Sequence, residues 1–253
     1  SEGVNLTRHA AGKPLKGYLK KGFIYSDCWV QDARLVVLNA MDARDRGAEI
    51  VTRTECLSAK RKDGLWHVSV KDLASGEARQ ITARALVNAA GPWCTSILED
   101  RVESKPVRGI RMVAGSHIVV PKLFDHDNCY IFQNPDGRIV FAIPYEQDFT
   151  LVGTTDKDYT GDPADVAASD QEVSYLCELV NSYFEKQITP EDVVWTYSGV
   201  RPLYSDGSAD ASKVTRDYVL KIDGNADQAP LLNIFGGKIT TYRKLAEHAL
   251  QKL

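Results

Sequence analysis

The stretch that decides the fold is Leu231-Leu232-Asn233-Ile234-Phe235-Gly236-Gly237-Lys238-Ile239-Thr240-Thr241. Its first five residues are mostly apolar and predict a strand buried on both faces. The two glycines predict a tight turn. Either threonine can cap a following helix, which is expected to bury an apolar face. A strand that passes through glycines into a helix indicates an α/β protein.

The turn of this stretch also predicts an anion-binding site. Backbone N–H groups and the positive end of the helix dipole point at whatever lies in front of a helix N-terminus, and Lys238 adds a positive charge. A phosphate loop of the nucleotide-triphosphatase kind is excluded, because its first glycine would fall on Leu232 and its Ser or Thr on Ile239. The alternative is a tight strand-to-helix turn with an incidental lysine.

Residues 32–93 are predicted to fold in the same style. The expected order is a helix that ends near Gly47, a three-stranded meander that starts at Glu49, and a buried strand at 85–90. That strand leads into Gly91-Pro92-Trp93, and the small residues at its end let a flat ligand approach the backbone closely. Plain packing of helix against strand is the alternative.

The region 105–230 is predicted to be β-rich, with strands at 116–120, 130–133, 138–143, 149–154 and 193–198. A turn at 134–137 joins two of these strands into a hairpin. One helix interrupts the region, because Ser169 and Glu172 form a capping box ahead of an apolar stripe. The stripe consists of Val173, Leu176, Cys177, Val180 and Phe184.

Two polar side chains of this region are candidates for chemistry. Arg201 lies in Gly199-Val200-Arg201-Pro202, where a turn after a strand would present its guanidinium to a carboxylate or a phosphate. A structural salt bridge is the alternative. His117 heads an apolar run in a region with Arg108 and Arg111, and its imidazole could take up a proton at neutral pH. A satisfied histidine of the core is the alternative.

Composition excludes several classes of protein. The chain has 253 residues, 43% apolar and 26% charged, which is typical of one large or two small globular domains. Its 31 basic and 34 acidic residues do not favour nucleic-acid binding. Five dispersed cysteines without a C-x-x-C pair favour reduced thiols in a cytoplasmic protein over a zinc site or disulfides. No apolar run approaches the ~20 residues of a membrane-spanning helix.

The first 31 residues are expected to be a basic connector. Five basic residues and three turn-forming residues interrupt any regular pattern there, so a solvated surface loop is expected. The alternative is contact with anionic phospholipid headgroups. These residues are Arg8, Lys13, Lys16, Lys20, Lys21, Gly12, Pro14 and Gly17.

Stretches spread over nearly the whole chain carry a family resemblance. They are Gly22-Phe23, Tyr25-Ser26-Asp27-Cys28-Trp29-Val30, Val87-Asn88-Ala89 with Gly91-Pro92-Trp93, Gly115-Ser116-His117-Ile118-Val119-Val120-Pro121, Gly153-Thr154-Thr155-Asp156, 195–203 and 235–250. In this order they resemble the FAD-dependent, aerobic glycerol-3-phosphate dehydrogenases of bacteria. The chain departs from that family because it has no G-x-G-x-x-G, no H-G-G-x-R-Y-like stretch and no helical domain after Leu253. It is therefore expected to be a middle portion of a longer enzyme.

The resemblance implies a mixed α/β flavoprotein of the D-amino-acid-oxidase-like type. A partial, discontinuous FAD-binding domain would comprise 32–96 and 231–253, around an antiparallel, β-rich substrate domain at 97–230. The residues that it implies for FAD binding are Cys56, Ala89, Gly91, Pro92, Trp93, Gly199, Gly236, Gly237, Lys238, Ile239 and Thr240.

The resemblance also implies a reaction. The family oxidises sn-glycerol 3-phosphate to dihydroxyacetone phosphate by hydride transfer to FAD, and electrons pass to quinone at the cytoplasmic face of the inner membrane. His117 would accept the C2 hydroxyl proton, although Lys238 stays open as the base. Arg201, Lys238 and Thr241 would hold the phosphate or the developing alkoxide. The helix that starts near Thr240 would stabilise the anionic reduced flavin.

Several alternatives stay open. A glycerol-3-phosphate oxidase would pass electrons to oxygen, and a non-catalytic ligand-binding fragment would be colourless and inactive. An oxidase acting on an amino acid suits the Arg201 and Lys238 pair less well than a phosphate does. The strands 85–90 and 231–235 are expected to flank an absent strand. The chain would then associate through that edge, a homodimer being one such form, or be partly disordered near 1–21 and the two glycine turns.

Overall fold

The computed structural model describes residues 2–102, 104, 109–135, 137–204, 217–225 and 227–253. Fourteen strands and four α-helices lie among these described residues. The strands are β1 (Glu2–Asn5), β2 (Lys21–Ile24), β3 (Thr54–Lys62), β4 (Leu65–Asp72), β5 (Ala78–Ala83), β6 (Leu86–Asn88), β7 (Ile110–Pro121), β8 (Tyr130–Gln133), β9 (Ile139–Tyr145), β10 (Phe149–Gly153), β11 (Lys157–Asp158), β12 (Trp195–Tyr204), β13 (Val219–Asp223) and β14 (Leu231–Phe235). The α-helices are α1 (Asp32–Asp45), α2 (Cys94–Asp100), α3 (Asp170–Tyr183) and α4 (Tyr242–Lys252). Arg108 and Asp136, which belong to a predicted site region and a predicted turn, lie outside the described residues.

The chain divides into two compact units, each formed by two segments. Unit 1 comprises Ser1–Asp27 and Met112–Arg201, and unit 2 comprises Cys28–Arg111 and Pro202–Leu253. The division differs from the predicted domain boundaries. The N-terminal residues belong to unit 1 instead of standing apart, and the two ends of the predicted β-rich domain belong to unit 2.

Unit 1 is built on a six-stranded sheet with helix α3 packed against it. The strand order is β11-β7-β10-β9-β8, and β12 also pairs with β7. The predicted hairpin is confirmed as the antiparallel pair of β8 and β9. Helix α3 has the predicted capping box of Ser169 and Glu172, and it buries Leu176, Cys177 and Val180 in the core. Regular alternation and a complete N-cap explain why sequence patterns located these elements well.

The N-terminal segment is not the solvated connector that its basic residues predicted. Strands β1 and β2 form an antiparallel pair, and Ala11 and Leu15 between them are buried in the core of unit 1. The backbone N–H of Lys16 donates to the carbonyl of Tyr183 at 2.8 Å. The prediction failed because two apolar residues among lysines are too few to give a periodic signal, yet they suffice to fix a short segment.

Unit 2 contains two three-stranded sheets. Strands β3, β4 and β5 form the predicted meander, and Asp63 and Gly64 make a turn in the left-handed region with φ of 52° and 74°. The other sheet has the order β13-β14-β6, in which β14 and β6 are parallel. These two strands pair directly with each other, so the expectation that they flank an absent strand is wrong. Among the described residues, the other edge of β6 carries no strand.

Several apolar surfaces of unit 2 are more exposed than predicted. Helix α1 has the predicted start but buries none of its residues. The strand expected at 49–52 begins only at Thr54, and the run expected at 85–90 forms a three-residue strand in which Val87 is 44% exposed. In helix α4 only Ala249 of the predicted face is buried. Periodicity identified the apolar sides correctly, but burial also requires a neighbouring element that covers them.

No helix among the described residues is long and apolar enough to cross a membrane. No group of His, Cys, Asp and Glu side chains among them is arranged to hold a metal ion.

Candidate active site

His117 lies on β7 in unit 1, where its neighbour on β10 is a glycine. Gly153 pairs with His117 in the antiparallel register. A Cβ atom at position 153 would overlap the imidazole ring of His117, which therefore lies directly over the glycine backbone. His117 is half-buried, between strongly buried neighbours on either side. His117 therefore lies within strand β7 and not at the head of the apolar run, as its sequence context had predicted. A glycine on the neighbouring strand provides the space for its ring.

Tyr197 on β12 covers the imidazole of His117. The two rings are stacked, with their centroids 4.8 Å apart and their planes 5° from parallel. Such a stack restricts rotation of the imidazole. Sequence reasoning assigned no role to Tyr197 or Gly153, although both lie in the stretches that resemble the glycerol-3-phosphate dehydrogenases.

Arg201 lies inside strand β12 and not on a turn after a strand, as its Gly and Pro neighbours had predicted. Its Nη1 donates to Oδ1 of Asp156 at 2.6 Å, and the two side chains are 43% and 44% exposed. A Cβ atom at Gly115 would lie 3.3 Å from Nη2 of Arg201, so the guanidinium passes over this glycine. The salt bridge that was the alternative for Arg201 is therefore present. It orients the guanidinium and leaves much of it accessible to solvent.

Gly199 lies on β12 between Tyr197 and Arg201, on the same face of the strand. A Cβ atom at this position would meet nothing within 4 Å. The glycine therefore leaves open space beside the tyrosine and the arginine.

Behind this face, a hydrogen-bond network is centred on the carboxylate of Glu172. Oε1 accepts from the hydroxyls of Thr155 at 2.6 Å and Ser116 at 2.9 Å, and Oε2 accepts from the hydroxyl of Ser169 at 2.8 Å. The hydroxyl oxygens of Ser116 and Ser198 are 2.8 Å apart. Burial raises the pKa of Glu172, but hydrogen bonds from Thr155 and Ser169 outweigh this effect, so the pKa lies below its ordinary value. Sequence analysis identified Glu172 only as a capping residue.

In unit 2, two predicted binding segments begin at the same edge of a sheet. Strands β6 and β14 are parallel, with Asn88 opposite Asn233 in register. The segments 89–93 and 236–241 follow the carboxyl ends of these two strands, which is where α/β sheets bind ligands. The side-chain amide of Asn88 donates to Oδ1 of Asn233 at 3.2 Å and to the carbonyl of Cys94 at 3.0 Å. This buried pair ties the two strand ends together, and sequence analysis gave it no role.

The turn before helix α4 has the geometry that its glycines predicted. Gly236 and Gly237 have φ of 70° and 105°, which favours glycine strongly. A short 3₁₀ turn, Ile239–Thr241, then precedes the helix. Thr241 is the residue before the helix, but no side-chain capping bond forms, because its hydroxyl donates to the carbonyl of Lys238 at 3.1 Å. The prediction of a threonine cap is therefore wrong, since the chain enters α4 through a tighter turn.

The remaining predicted binding residues differ in their surroundings. Gly91 has φ of 55°, with open space where a Cβ would point, and Pro92 sits in the first turn of a 3₁₀ helix that ends at Trp93. Trp93 is 42% exposed. Cys56 lies on β3 in the meander, packed against the core of unit 2, and burial raises the pKa of its thiol. The environment of Cys56 is thus that of a packing residue.

The predicted catalytic residues fall in different units. His117 and Arg201 belong to unit 1, where adjacent strands β7 and β12 carry them. Lys238 belongs to unit 2, together with the glycine turns. Unit 1 alone thus brings a titratable imidazole and a guanidinium to neighbouring strands.

The amino-acid sequence matches a known protein family. A sequence model of the family described as FAD dependent oxidoreductase matches residues 4–242. The chain belongs to this family. Both the predicted D-amino-acid-oxidase-like fold and FAD as the cofactor of the family are thereby confirmed.

Individual members of the FAD-dependent oxidoreductases give closer matches. The glycerol-3-phosphate dehydrogenase of Pseudomonas tolaasii is 51% identical over 251 residues, which are 99% of this chain and 49% of that protein. The D-erythritol 1-phosphate dehydrogenase of Brucella abortus is 49% identical over 250 residues, 99% of this chain and 50% of that protein. The solved glycerol-3-phosphate dehydrogenase of Bacillus halodurans, complexed with FAD, has a TM-score of 0.84 at 30% identity over 99% of this chain and 48% of its own. The chain spans about half the length of these relatives.

Proposed function

We propose that the natural protein containing this chain is an FAD-dependent dehydrogenase that oxidises sn-glycerol 3-phosphate to dihydroxyacetone phosphate. The observation that carries the proposal is that the adjacent strands β7 and β12 carry His117 and Arg201, with open space at Gly199 between Tyr197 and Arg201. An alcohol that also bears a phosphate needs both a proton acceptor and a cationic anchor. The close similarity to glycerol-3-phosphate dehydrogenases supports this choice of substrate.

The residues at the carboxyl ends of β6 and β14 fit a bound flavin. Gly91 leaves open space at one strand end, and the positive φ angles of Gly236 and Gly237 bring the chain sharply round at the other. Backbone N–H groups ahead of helix α4 suit the edge of a ring system that becomes anionic on reduction. Ala89, Gly91 and the segment 236–240 would hold FAD. FAD, when bound, supplies the acceptor for the hydride that leaves C2 of the substrate.

In this proposal the side chains of the chain bind the phosphate and move one proton. As the C2–O bond becomes a carbonyl, the hydroxyl proton passes to the imidazole of His117, which the Tyr197 ring holds in place. Arg201 binds the phosphate, and its bond to Asp156 fixes the direction of the guanidinium. Lys238 adds a second positive charge for the phosphate or for the oxygen that loses its proton.

The second half of the reaction is proposed to pass electrons to quinone, at the cytoplasmic face of the inner membrane. Exposed aromatic and aliphatic side chains near the N-terminus support peripheral association with a membrane, since Tyr18, Phe23 and Ile24 are 64%, 78% and 42% exposed. Lys16 and Lys20 lie nearby in sequence and are attracted to anionic headgroups. Co-sedimentation with anionic vesicles that salt abolishes would support this part. Equal binding to neutral vesicles would count against it.

The experiment that tests the oxidation is anaerobic mixing of the flavin-loaded natural protein with substrate. We expect sn-glycerol 3-phosphate to bleach the visible flavin absorbance and glycerol to leave it unchanged, because glycerol lacks the phosphate. No bleaching by any phosphorylated polyol would overturn the proposal. Reoxidation should then be faster with a quinone analogue than with oxygen, and the opposite order would identify an oxidase.

The second candidate substrate is D-erythritol 1-phosphate. It is favoured by the nearly equal identity to a D-erythritol 1-phosphate dehydrogenase, 49% against 51%. Both substrates are polyol phosphates, so the same histidine and arginine would serve either one. The ratio of kcat/KM for the two compounds decides between them.

The 253-residue chain by itself is proposed to be colourless and inactive, since it has no G-x-G-x-x-G for the pyrophosphate of FAD. Flavin absorbance near stoichiometric in the purified chain would refute this. Titration with sn-glycerol 3-phosphate would then show whether unit 1 still binds the phosphate as a non-catalytic module.

A further inference from the structure

The carboxylate of Glu172 on helix α3 bonds directly to two segments of unit 1 and reaches a third, β12, through Ser116. Oε1 receives the hydroxyl of Ser116 on β7 and that of Thr155, which follows β10. The backbone N–H of Ser116 also donates to the hydroxyl oxygen of Thr155 at 3.0 Å. Ser198 on β12 joins through its contact with the hydroxyl of Ser116. Ser116 and Thr155 are only 1% and 4% exposed, so water cannot easily replace these bonds.

Each of these partners is a sequence neighbour of a residue in the proposed site. Ser116 precedes His117, Ser198 follows Tyr197, and Thr155 precedes Asp156, the partner of Arg201. Successive side chains on a strand point to opposite faces of a sheet. The serines therefore point toward helix α3, while His117 and Tyr197 point to the other face. Glu172 therefore lies on the face of the sheet opposite to His117 and Tyr197, and it is connected to them through the backbone of β7 and β12.

The two carboxylate oxygens of Glu172 have different partners. Oε2 receives the backbone N–H and the hydroxyl of Ser169, which completes the N-cap of α3. Oε1 makes no capping contact and receives only the hydroxyls of Ser116 and Thr155. A residue required only for capping would leave one oxygen in solvent. Here both oxygens accept hydrogen bonds. Oε1 accepts them from Ser116, on the strand that also carries His117, and from Thr155.

We propose that Glu172 is a positioning residue for the oxidation, which fixes His117 through Ser116 and the Asp156–Arg201 pair through Thr155. This inference rests on the proposed function for the roles of His117 and Arg201. It adds a requirement that those roles do not include, namely a hydrogen-bonded carboxylate on the opposite face of the sheet. Misplacement of reacting groups by about 1 Å is enough to slow a reaction substantially.

The test compares matched variants of the flavin-loaded natural protein. Thr155→Val removes a hydroxyl bonded to Oε1 with little change in volume, and Thr155→Ser keeps that hydroxyl. Ser169→Ala removes the side-chain contact to Oε2 and serves as the capping control. Glu172→Gln removes the charge but keeps the shape. We expect Glu172→Gln and Thr155→Val to lower kcat with sn-glycerol 3-phosphate about tenfold and to raise its KM. Glu172→Gln removes the charge that strengthens the bonds from the sheet, and Thr155→Val removes one of the bonds to Oε1.

The two controls are expected to behave differently. Thr155→Ser should retain kcat within about threefold, since the bonded group remains. Ser169→Ala should lower the midpoint of thermal unfolding and leave kcat unchanged, since only the helix cap is affected. The proposal is overturned if Glu172→Gln leaves kcat and KM unchanged. It is equally overturned if Ser169→Ala lowers kcat as much as Thr155→Val does.

A second measurement separates this inference from the proposed function. The imidazole resonances of His117, followed by NMR in labelled protein, report its position without substrate. They should shift in Glu172→Gln and Thr155→Val and stay in place in Ser169→Ala. If the wild-type protein oxidised neither polyol phosphate, the proposed function would fail, and these resonances would still decide the link between Glu172 and His117. Unshifted resonances in all variants would refute that link.

Discussion

Helices α1 and α3 have the same length, 14 residues, but very different surroundings. Helix α3 of unit 1 buries Leu176, Cys177 and Val180 and is held at its start by a capping box. Helix α1 of unit 2 buries none of its residues and has no side-chain cap. The exposed apolar side chains of α1 are Val36, Val37, Leu38 and Met41. An apolar side on a helix thus predicts where a partner would pack, and only the fold shows whether one is there.

The same contrast holds for the proposed sites of the two units. In unit 1, His117 and Arg201 are fixed by stacked rings, a salt bridge and close glycines. In unit 2, the segments around Gly91 and Lys238 are shaped mainly by backbone turns, and their neighbouring side chains are largely exposed. We therefore expect unit 1 to determine which substrate binds and how its proton leaves, and unit 2 to determine which ring system lies at its strand ends.

The largest expected effect is the loss of the proposed base. His117→Asn should lower kcat for sn-glycerol 3-phosphate about 10²–10⁴-fold, the range of general base catalysis. Stopped-flow reduction of the flavin measures this directly. Lys238→Met in unit 2 should mainly raise KM, because the proposed role of Lys238 is to add a positive charge that binds the phosphate. A collapse of kcat in Lys238→Met with a mild effect in His117→Asn would reverse the assignment of the base.

A second comparison concerns the buried and exposed helices. Leu176→Ala on α3 should lower the free energy of unfolding by about 2–5 kcal/mol, because it creates a cavity in the core of unit 1. Leu38→Ala on α1 should change it by no more than about 0.5 kcal/mol, because Leu38 is 46% exposed. Urea unfolding of the chain measures both. Equal losses would mean that α1 is covered in solution.

How far the sequence predicts this molecule depends on where the stabilising contacts lie. Capping boxes, turn glycines and alternating strands are local patterns, so β8, β14 and α3 were located closely from sequence. Burial of Ala11 and exposure of α1 depend on partners far along the chain, and no local pattern reports them. His117 and Arg201 were predicted as site residues. Tyr197, Gly153 and Asp156 were not, because they contact His117 and Arg201 only after strands that are distant in sequence have paired.

A smaller effect should come from the edge of β6 that carries no strand among the described residues, and from the exposed side of α1. The 253-residue chain should self-associate in a concentration-dependent way, because exposed apolar surface of this kind is covered by association. Sedimentation velocity measures the extent. A Val36→Lys and Val37→Lys double variant should shift the chain toward monomer, and Val194→Lys, an exposed position of unit 1, should not. Monomer at every concentration would contradict this prediction.

The smallest expected effect is the pH dependence contributed by Glu172. Its folded-state pKa lies below the ordinary value of 4.5. The unfolded chain therefore binds the proton first as pH falls, so this contribution is complete above the ordinary value and is lost as pH falls through the folded pKa. Urea unfolding at a series of acidic pH values should show a shallower loss of stability in Glu172→Gln than in wild type. Parallel curves would show that the carboxylate contributes nothing.

The glycine beneath the imidazole has a consequence for reading natural variants of this protein. A change at position 153 removes no functional group, because glycine has no side chain. Such a change would therefore be judged harmless if only reactive side chains were considered. Yet even one methyl group there would displace the ring of His117, which Tyr197 holds from its other side. Gly153→Ala should therefore resemble loss of the histidine itself in activity assays, and a variant at this apparently silent position would be an inactivating one.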